Sequence, residues 1–273
     1  MSPVVPTVTL NNGVVIPQLG FGVFQIPDDQ TQAAVEHALE AGYRSIDTAA
    51  LYRNERGVAR AVDTSGIPRE ELFITTKLWN DRQGDVPQAF EESLEKLGTD
   101  YVDLYLIHWP APKQDRYLEA WQAFESLYAD GRVRAIGVSN FLPEHLERVV
   151  ALGGTVPAVN QIEAHPALQQ RAAQEADRRH GVATEAWSPL AQAAVLTDDV
   201  VTTIAEAHAA TPAQVVLAWH RQQGRIAIPK SVTPSRIVEN LASVEVTLTD
   251  EELARIDGLE SGGRTGPDPA TFG

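Results

Sequence analysis

Short runs of apolar and β-branched residues alternate with longer stretches of helical periodicity along most of the chain. The runs cover 19–24, 44–47, 72–77, 102–107, 133–138, 158–162, 182–187 and 226–229. Between them the spacing of apolar positions predicts helices over 29–41, 54–63, 85–97, 116–130, 142–152, 169–180, 199–222 and 233–243. Local signals mark several ends. Asp29 is placed to cap the first helix, and Gly42 and Gly181 stand just past the ends of the first and sixth. Pro143 suits the first turn of the fifth. Thr211-Pro212 and Thr233-Pro234 read as a capping residue followed by a first-turn proline, so the stretch 199–222 is expected to break at Thr211. A last helix over 249–258, capped by Thr249 or Asp250, falls outside the alternation.

Strands alternating with helices predict parallel pairing, and eight such units predict closure into a (β/α)8 barrel, an α/β fold. An open doubly wound sheet for a dinucleotide would want G-x-G-x-x-G after its first strand. Gly20-Phe21-Gly22-Val23-Phe24-Gln25 starts that way and lacks the last glycine. Ahead of the repeat, two apolar runs at 7–10 and 14–16 flank Asn11-Asn12-Gly13, which predicts a β-hairpin closing one end of the barrel. The Gly- and Pro-rich stretch 262–273 is expected to wrap the surface without regular structure. No linker or change of composition divides the chain, so 1–273 is read as a single domain.

In a closed barrel of this kind, chemistry collects where the strands end. After the second run stands Asp47, with Tyr52 five positions on. Lys77 ends the third run and His108 follows the fourth. The fifth ends in Ser139-Asn140, the sixth carries Gln161 and Glu163, the seventh ends in Trp187-Ser188, and the eighth leads into Lys230-Ser231. Each alone is explained by a helix cap or a solvated strand end. Their shared position is what points to a site.

Composition narrows the chemistry. With 22 Lys+Arg against 37 Asp+Glu, the 273-residue chain carries a formal charge of −15, which opposes binding to nucleic acid or an anionic membrane. It has no cysteine, which removes disulfides, thiolate nucleophiles and Cys-ligated metals. Neither a signal peptide nor a membrane-spanning run is evident, and a cytoplasmic setting is expected. No metal-ligand cluster stands out. A tyrosine has an ordinary pKa of ~10, and a neighbouring ammonium is expected to lower it. Lys77, held by Asp47, could tune Tyr52 as a proton donor while His108 orients a carbonyl. The attacking group would then come from a cofactor, and hydride from a nicotinamide is the simplest choice.

GFGVFQ, YRSIDTAALYRNE, FITTKLWN, DLYLIHWP, IGVSNF, NQIEAHP, AWSPLAQ and IPKSVTPSRIVENL occur in that order over nearly the whole chain. Together they resemble the aldo/keto reductase family. HWPAP, AWSPLAQ and the closing GPDPATF are most similar to its bacterial branch of 2,5-diketo-D-gluconic acid reductases. The resemblance implies a (β/α)8 barrel that reduces aldehydes and ketones with NADPH and without metal. It implies Tyr52 as proton donor, Asp47 and Lys77 as the pair that tunes it, and His108 as the carbonyl-orienting group. Ser139, Asn140 and Gln161 would hold the nicotinamide carboxamide, and Trp187 would stack on its ring. Ser188 and Leu190 would approach the pyrophosphate. Ile228, Lys230, Ser231, Val232, Arg236, Glu239 and Asn240 match the adenosine end, with Lys230, Ser231 and Arg236 on the 2′-phosphate.

Phe24, Trp79, Trp109 and Phe141, with His108, are the substrate-pocket candidates. The segment after His108 and the tail are both short, which suggests an open and less selective pocket. The expected partner is a small carbonyl compound, with no obligate protein partner and a monomeric state. Two other functions remain open on the sequence. Lys77 could form a Schiff base in a lyase, or the chain could bind NADPH as a regulatory subunit with little turnover.

Overall fold

A computed structural model describes residues 3–273. Its strands are β1 (Thr7–Thr9), β2 (Val15–Pro17), β3 (Phe21–Gly22), β4 (Ser45–Asp47), β5 (Phe73–Leu78), β6 (Val102–Ile107), β7 (Val133–Ser139), β8 (Val159–Glu163), β9 (Ala183–Trp187) and β10 (Ile226–Ala227). The helices are α1 (Asp28–Ala41), α2 (Glu55–Ser65), α3 (Val86–Leu97), α4 (Tyr117–Ala129), α5 (Pro143–Val150), α6 (Arg171–Arg179), α7 (Asp199–Ala207), α8 (Pro212–Gln222), α9 (Pro234–Leu241) and α10 (Asp250–Asp257).

Strands β3 to β10 pair in chain order, each parallel to the next. The two ends of this sheet meet. Ala227 N donates to Gln18 O at 3.0 Å, Gly20 N to Ala227 O at 2.9 Å, and Gly22 N to Pro229 O at 3.1 Å. A parallel bridge between Leu19 and Ala227 completes the expected (β/α)8 barrel. Regular pairing at this seam is shorter than the apolar runs 19–24 and 226–229 implied. The chains approach so closely there that a Cβ on Gly22 would lie 3.0 Å from Ile228 O. A side chain at Gly22 would press on the Ile228 carbonyl and push the two strands apart at the seam.

Side chains alternate across the wall. On β6, Tyr105 and Ile107 face outward onto the helix layer with Phe90, Trp121 and Phe124, while Leu104 and Leu106 face the interior with Phe73 and Val159. Each large buried apolar side chain contributes about 1.5–3 kcal/mol. The same alternation turns Lys77 of β5 inward, where it is fully buried.

The hairpin forms as expected, with Val8 opposite Ile16 and Gly13 at a left-handed φ of 84°. Leu10 and Ile16 enter the interior cluster, and the Asn11 and Asn12 amides donate to Pro157 O and Arg134 O near the starts of β8 and β7. The hairpin therefore plugs the end where strands begin, leaving the opposite end for chemistry.

Local signals were mostly correct. Thr211 and Thr249 cap α8 and α10 in reciprocal boxes with Gln214 and Glu252. Asp29 does not cap α1. That helix starts after Pro27, and Asp28 instead binds Gly57 N and Arg60. Thr233 holds the cap position of α9 without a side-chain bond, and its backbone N–H donates to Ser231 Oγ. Residues 262–273 are irregular, as expected, but they return across the barrel mouth. No helix among the described residues is long and apolar enough to cross a membrane.

Candidate active site

Asp47 ends β4, Lys77 lies in β5, and His108 follows β6. Tyr52 sits in a 3-10 turn over Ala50–Tyr52, directly after β4. The sheet register explains how they meet. Asp47 is the Cα partner of Thr75. Lys77 stands two residues further on the same inner face, so its long side chain lies beside the carboxylate. Lys77 Nζ is 2.6 Å from Asp47 Oδ1 and donates to Thr48 O at 2.9 Å and to the Tyr52 hydroxyl at 3.5 Å. The His108 ring meets those of Tyr52 and Trp79 edge-on at 5.7 and 5.2 Å between centroids.

Burial disfavours the Lys77 ammonium, yet the charge of Asp47, aided by Tyr52, raises its pKa above the ordinary lysine value. The lysine is thus held charged. On Tyr52 burial acts upward and pushes the phenol up to about 12, with Lys77 pulling the other way and Asp47 adding to the rise. The sequence argument that Lys77 would bring Tyr52 below its ordinary value is therefore corrected: desolvation of the phenolate outweighs the ammonium. Burial first, and the Lys77 charge second, lower His108 well below the usual imidazole range, so it is neutral at pH 7. Its Nδ1 is buried without a hydrogen-bond partner.

The expected carboxamide group is tied together beside this set. Ser139 Oγ donates to Gln161 O at 2.8 Å. Asn140, in the left-handed region at φ 63°, donates through Nδ2 to His108 O and accepts from Trp187 Nε1 at 2.8 Å. Gln161 Nε2 donates to Asp47 Oδ2 and to Glu185 Oε2, both at 2.8 Å.

Ser188, at φ 46°, and Leu190 follow β9. Ile228, Lys230, Ser231 and Val232 follow β10, and Arg236 lies in the first turn of α9. Lys230, Val232 and Arg236 are exposed, whereas Ile228, Ser231 and Asn240 are buried. Neither Lys230 nor Arg236 forms an ion pair among the described residues. Glu239 is half-buried and engaged elsewhere, accepting from Thr211 Oγ1 at 2.8 Å.

Phe24 covers Tyr52 at 5.0 Å between ring centroids. Trp109 lies 6.5 Å from Trp187. Phe141 does not join them. It is 1% exposed and packs against Tyr117 and His145, so it is core. The tail supplies the aromatic that sequence reasoning missed. Phe272 lies 4.6 Å from Trp109 and 6.3 Å from Trp79. Short as the tail is, it reaches the mouth. Glu163 anchors the approach, accepting from Thr265 N and Oγ1 at 2.6 Å each and from Gly266 N at 3.1 Å. A Cβ on Gly266 would lie 2.4 Å from the Trp187 ring. Glu185 was also missed, although a carboxylate inside an apolar run is a readable signal.

Residues 18–261 match the model of the aldo/keto reductase family. An aldo-keto reductase of Mycolicibacterium smegmatis is 52% identical over 269 residues, covering 98% of each chain. A methylglyoxal reductase of Yersinia pestis is 52% identical over 270 residues, again covering 98% of each. The crystal structure of a Gox0644 mutant in complex with NADPH is 45% identical, superimposes with a TM-score of 0.95, and is matched over 99% of this chain and 100% of that one. A closed parallel barrel, a buried lysine–carboxylate pair under a tyrosine, and matches over nearly the full length all agree: this chain belongs to the aldo/keto reductase family.

Proposed function

We propose that the protein reduces aldehyde or ketone carbonyls to alcohols with NADPH, using Tyr52 as the proton donor. The observation that carries the assignment of roles is the position of Lys77 Nζ, between Asp47 Oδ1 and the Tyr52 hydroxyl. Bound NADPH supplies the hydride that the carbonyl carbon receives. The residues present fit that cofactor. Gln161 commits its amide nitrogen to two carboxylates and keeps Oε1 as an acceptor for a carboxamide N–H. Lys230 and Arg236 are exposed cations near the start of α9, where free backbone N–H groups favour a phosphate. Trp187, with its indole N–H fixed on Asn140, presents a ring for stacking.

The protein's own part is to manage one proton. With a pKa of about 12, Tyr52 is fully protonated at neutral pH and so is always loaded as an acid. The developing alkoxide is a stronger base than a phenolate and takes that proton. Lys77 then stabilises the phenolate, and Asp47 keeps Lys77 charged. Neutral His108 donates a hydrogen bond to the carbonyl oxygen through Nε2. Phe24, Trp79, Trp109 and Phe272 form aromatic walls that limit access of water.

A Schiff-base role for Lys77 is disfavoured by the same geometry, because a paired and protonated lysine is a poor nucleophile. The methylglyoxal reductases among the relatives make small dicarbonyls the first substrates to try. A monomer acting in the cytoplasm is the setting that the acidic, cysteine-free sequence supports.

The test is Tyr52→Phe, assayed by NADPH absorbance with methylglyoxal and a panel of aldehydes. General acid catalysis is worth about 10²–10⁴-fold in kcat, so a loss of that size with unchanged NADPH affinity is expected. Near-normal kcat would remove Tyr52 as the donor.

A further inference from the structure

Beneath the tetrad lies a second carboxylate that the mechanism above does not use. Glu185 stands in the middle of β9 with its side chain in the barrel interior, 1% exposed. The β8–β9 register makes Gln161 and Glu185 Cα partners, which places both side chains on the same inner face. Gln161 Nε2 bridges them to the active site, donating to Glu185 Oε2 and to Asp47 Oδ2 at 2.8 Å each. Asp47 therefore has one oxygen on Lys77 and the other on Gln161. An amide can often be turned end for end at little cost. Here turning Gln161 would set its carbonyl oxygen against Asp47 Oδ2, and against Glu185 as well once that group is ionised.

We propose that Glu185 is a positioning residue for the reduction: through Gln161 it fixes Asp47 beneath Lys77 and holds the Gln161 amide with its oxygen toward the cofactor. The proposal rests on the functional reading above. The groups that face Glu185 are Gln161 from β8, Asp47 from β4, Lys77 from β5 and Tyr52 from the turn after β4. Its partner on β10 is the apolar Ile226. Burial, reinforced by the charge of Asp47, raises the Glu185 carboxyl to about 7.

The charge state of Glu185 consequently changes near neutral pH. Neutral Glu185 leaves Tyr52 free to become a phenolate beside Lys77. Ionised Glu185 adds a negative charge beside that phenolate, and Tyr52 releases its proton less readily. The kcat for reduction should then fall as pH rises through about 7. A drop of roughly tenfold corresponds to one pKa unit on Tyr52.

The test compares wild type with Glu185→Gln, which keeps an acceptor for Gln161 and removes the charge. In ligand-free protein, wild type should show infrared carboxylic-acid absorbance titrating near pH 7 from both Glu185 and Asp177, and the wild-type-minus-variant difference spectrum should isolate the Glu185 component, which Glu185→Gln loses. In turnover, the fall of kcat near pH 7 should vanish while KM for the carbonyl stays unchanged. Glu185→Leu, which also removes the acceptor, should in addition weaken NADPH binding measured by fluorescence. If Glu185→Gln does not fold, Glu185→Asp serves instead: one methylene shorter, it withdraws from Gln161, and the limb should move away from pH 7. Superimposable pH profiles and infrared titrations in wild type and the folded variant would overturn the proposal. So would variants that differ only in melting temperature, because that marks a purely structural carboxylate. A wild-type protein that never oxidises NADPH would overturn the reductase reading itself, while the infrared titration would still report on Glu185.

Discussion

Lys77 and Asp47 form an ion pair, 2.6 Å from Nζ to Oδ1, in which both side chains are shut off from solvent. Removing one member of such a pair leaves the other charge buried and uncompensated. Asp47→Asn is therefore expected to cost about 3–5 kcal/mol in stability and to cut kcat, with the pH dependence of reduction displaced as Lys77 loses its charge partner. Chemical denaturation and a pH–rate profile check this. A loss of only ~1 kcal/mol with an unchanged profile would reduce Asp47 to a capping residue.

Arg236 is exposed and makes no ion pair among the described residues, so its substitution should not disturb the fold. A charge-assisted hydrogen bond is worth about 1.5–3 kcal/mol. Arg236→Ala should weaken NADPH by roughly one to two powers of ten and leave NADH almost unaffected, since NADH has no 2′-phosphate. Fluorescence titration with both cofactors decides it. Equal losses would move Arg236 from the 2′-phosphate to the pyrophosphate or the fold.

Phe272 is the tail's contribution to the aromatic cup, packed on Trp109 and Trp79. Phe272→Ala should raise KM for aryl aldehydes by roughly tenfold or more, as expected for losing about 1.5–3 kcal/mol of apolar contact, and affect small dicarbonyls less. Steady-state kinetics on the two substrate types checks this. A uniform fall in kcat would instead assign the tail a part in the chemistry.

Asp177 is fully buried, accepting from Asn160 Nδ2 at 2.9 Å and Thr184 Oγ1 at 2.7 Å. Burial, partly offset by these bonds, raises its carboxyl from 3.8 to about 7. A raised folded pKa means that the native state retains a proton which the unfolded chain has released. The stabilisation linked to that proton is full below 3.8 and is lost as pH rises to about 7. Wild type should therefore lose stability relative to Asp177→Asn over this interval. Denaturation midpoints at pH 4, 6 and 8 measure it, and parallel curves would show that Asp177 is ionised in the fold throughout.

The alternation of short β-branched runs with helical stretches determined the architecture, because eight repeats with strands buried on both faces have few ways to hide their apolar surface other than a closed barrel. Asp47, Tyr52, Lys77 and His108 were legible for a related reason. They interrupt or follow apolar strands, and a barrel gathers strand ends at one place. Trp79 and Trp109 shared that advantage. Phe141 misled because sequence position beside Ser139-Asn140 does not say which way a ring turns, and packing against Tyr117 took it into the core.

Tertiary structure alone decided the rest. Phe272 lies far along the chain from Trp79 and Trp109, the rings it packs on, and anchoring of the tail on Ala167 O and Glu163 brings it over the mouth. The Tyr52 phenol rises to about 12 because burial outweighs a neighbouring ammonium, a balance of desolvation against charge that depends on enclosure. The link from Glu185 through Gln161 to Asp47 depends on strand register, since a shift of one residue would turn each of these side chains out of the barrel. Sequence pattern states which residues are unusual where they stand; distance and desolvation, which set their chemistry, exist only once the chain has closed.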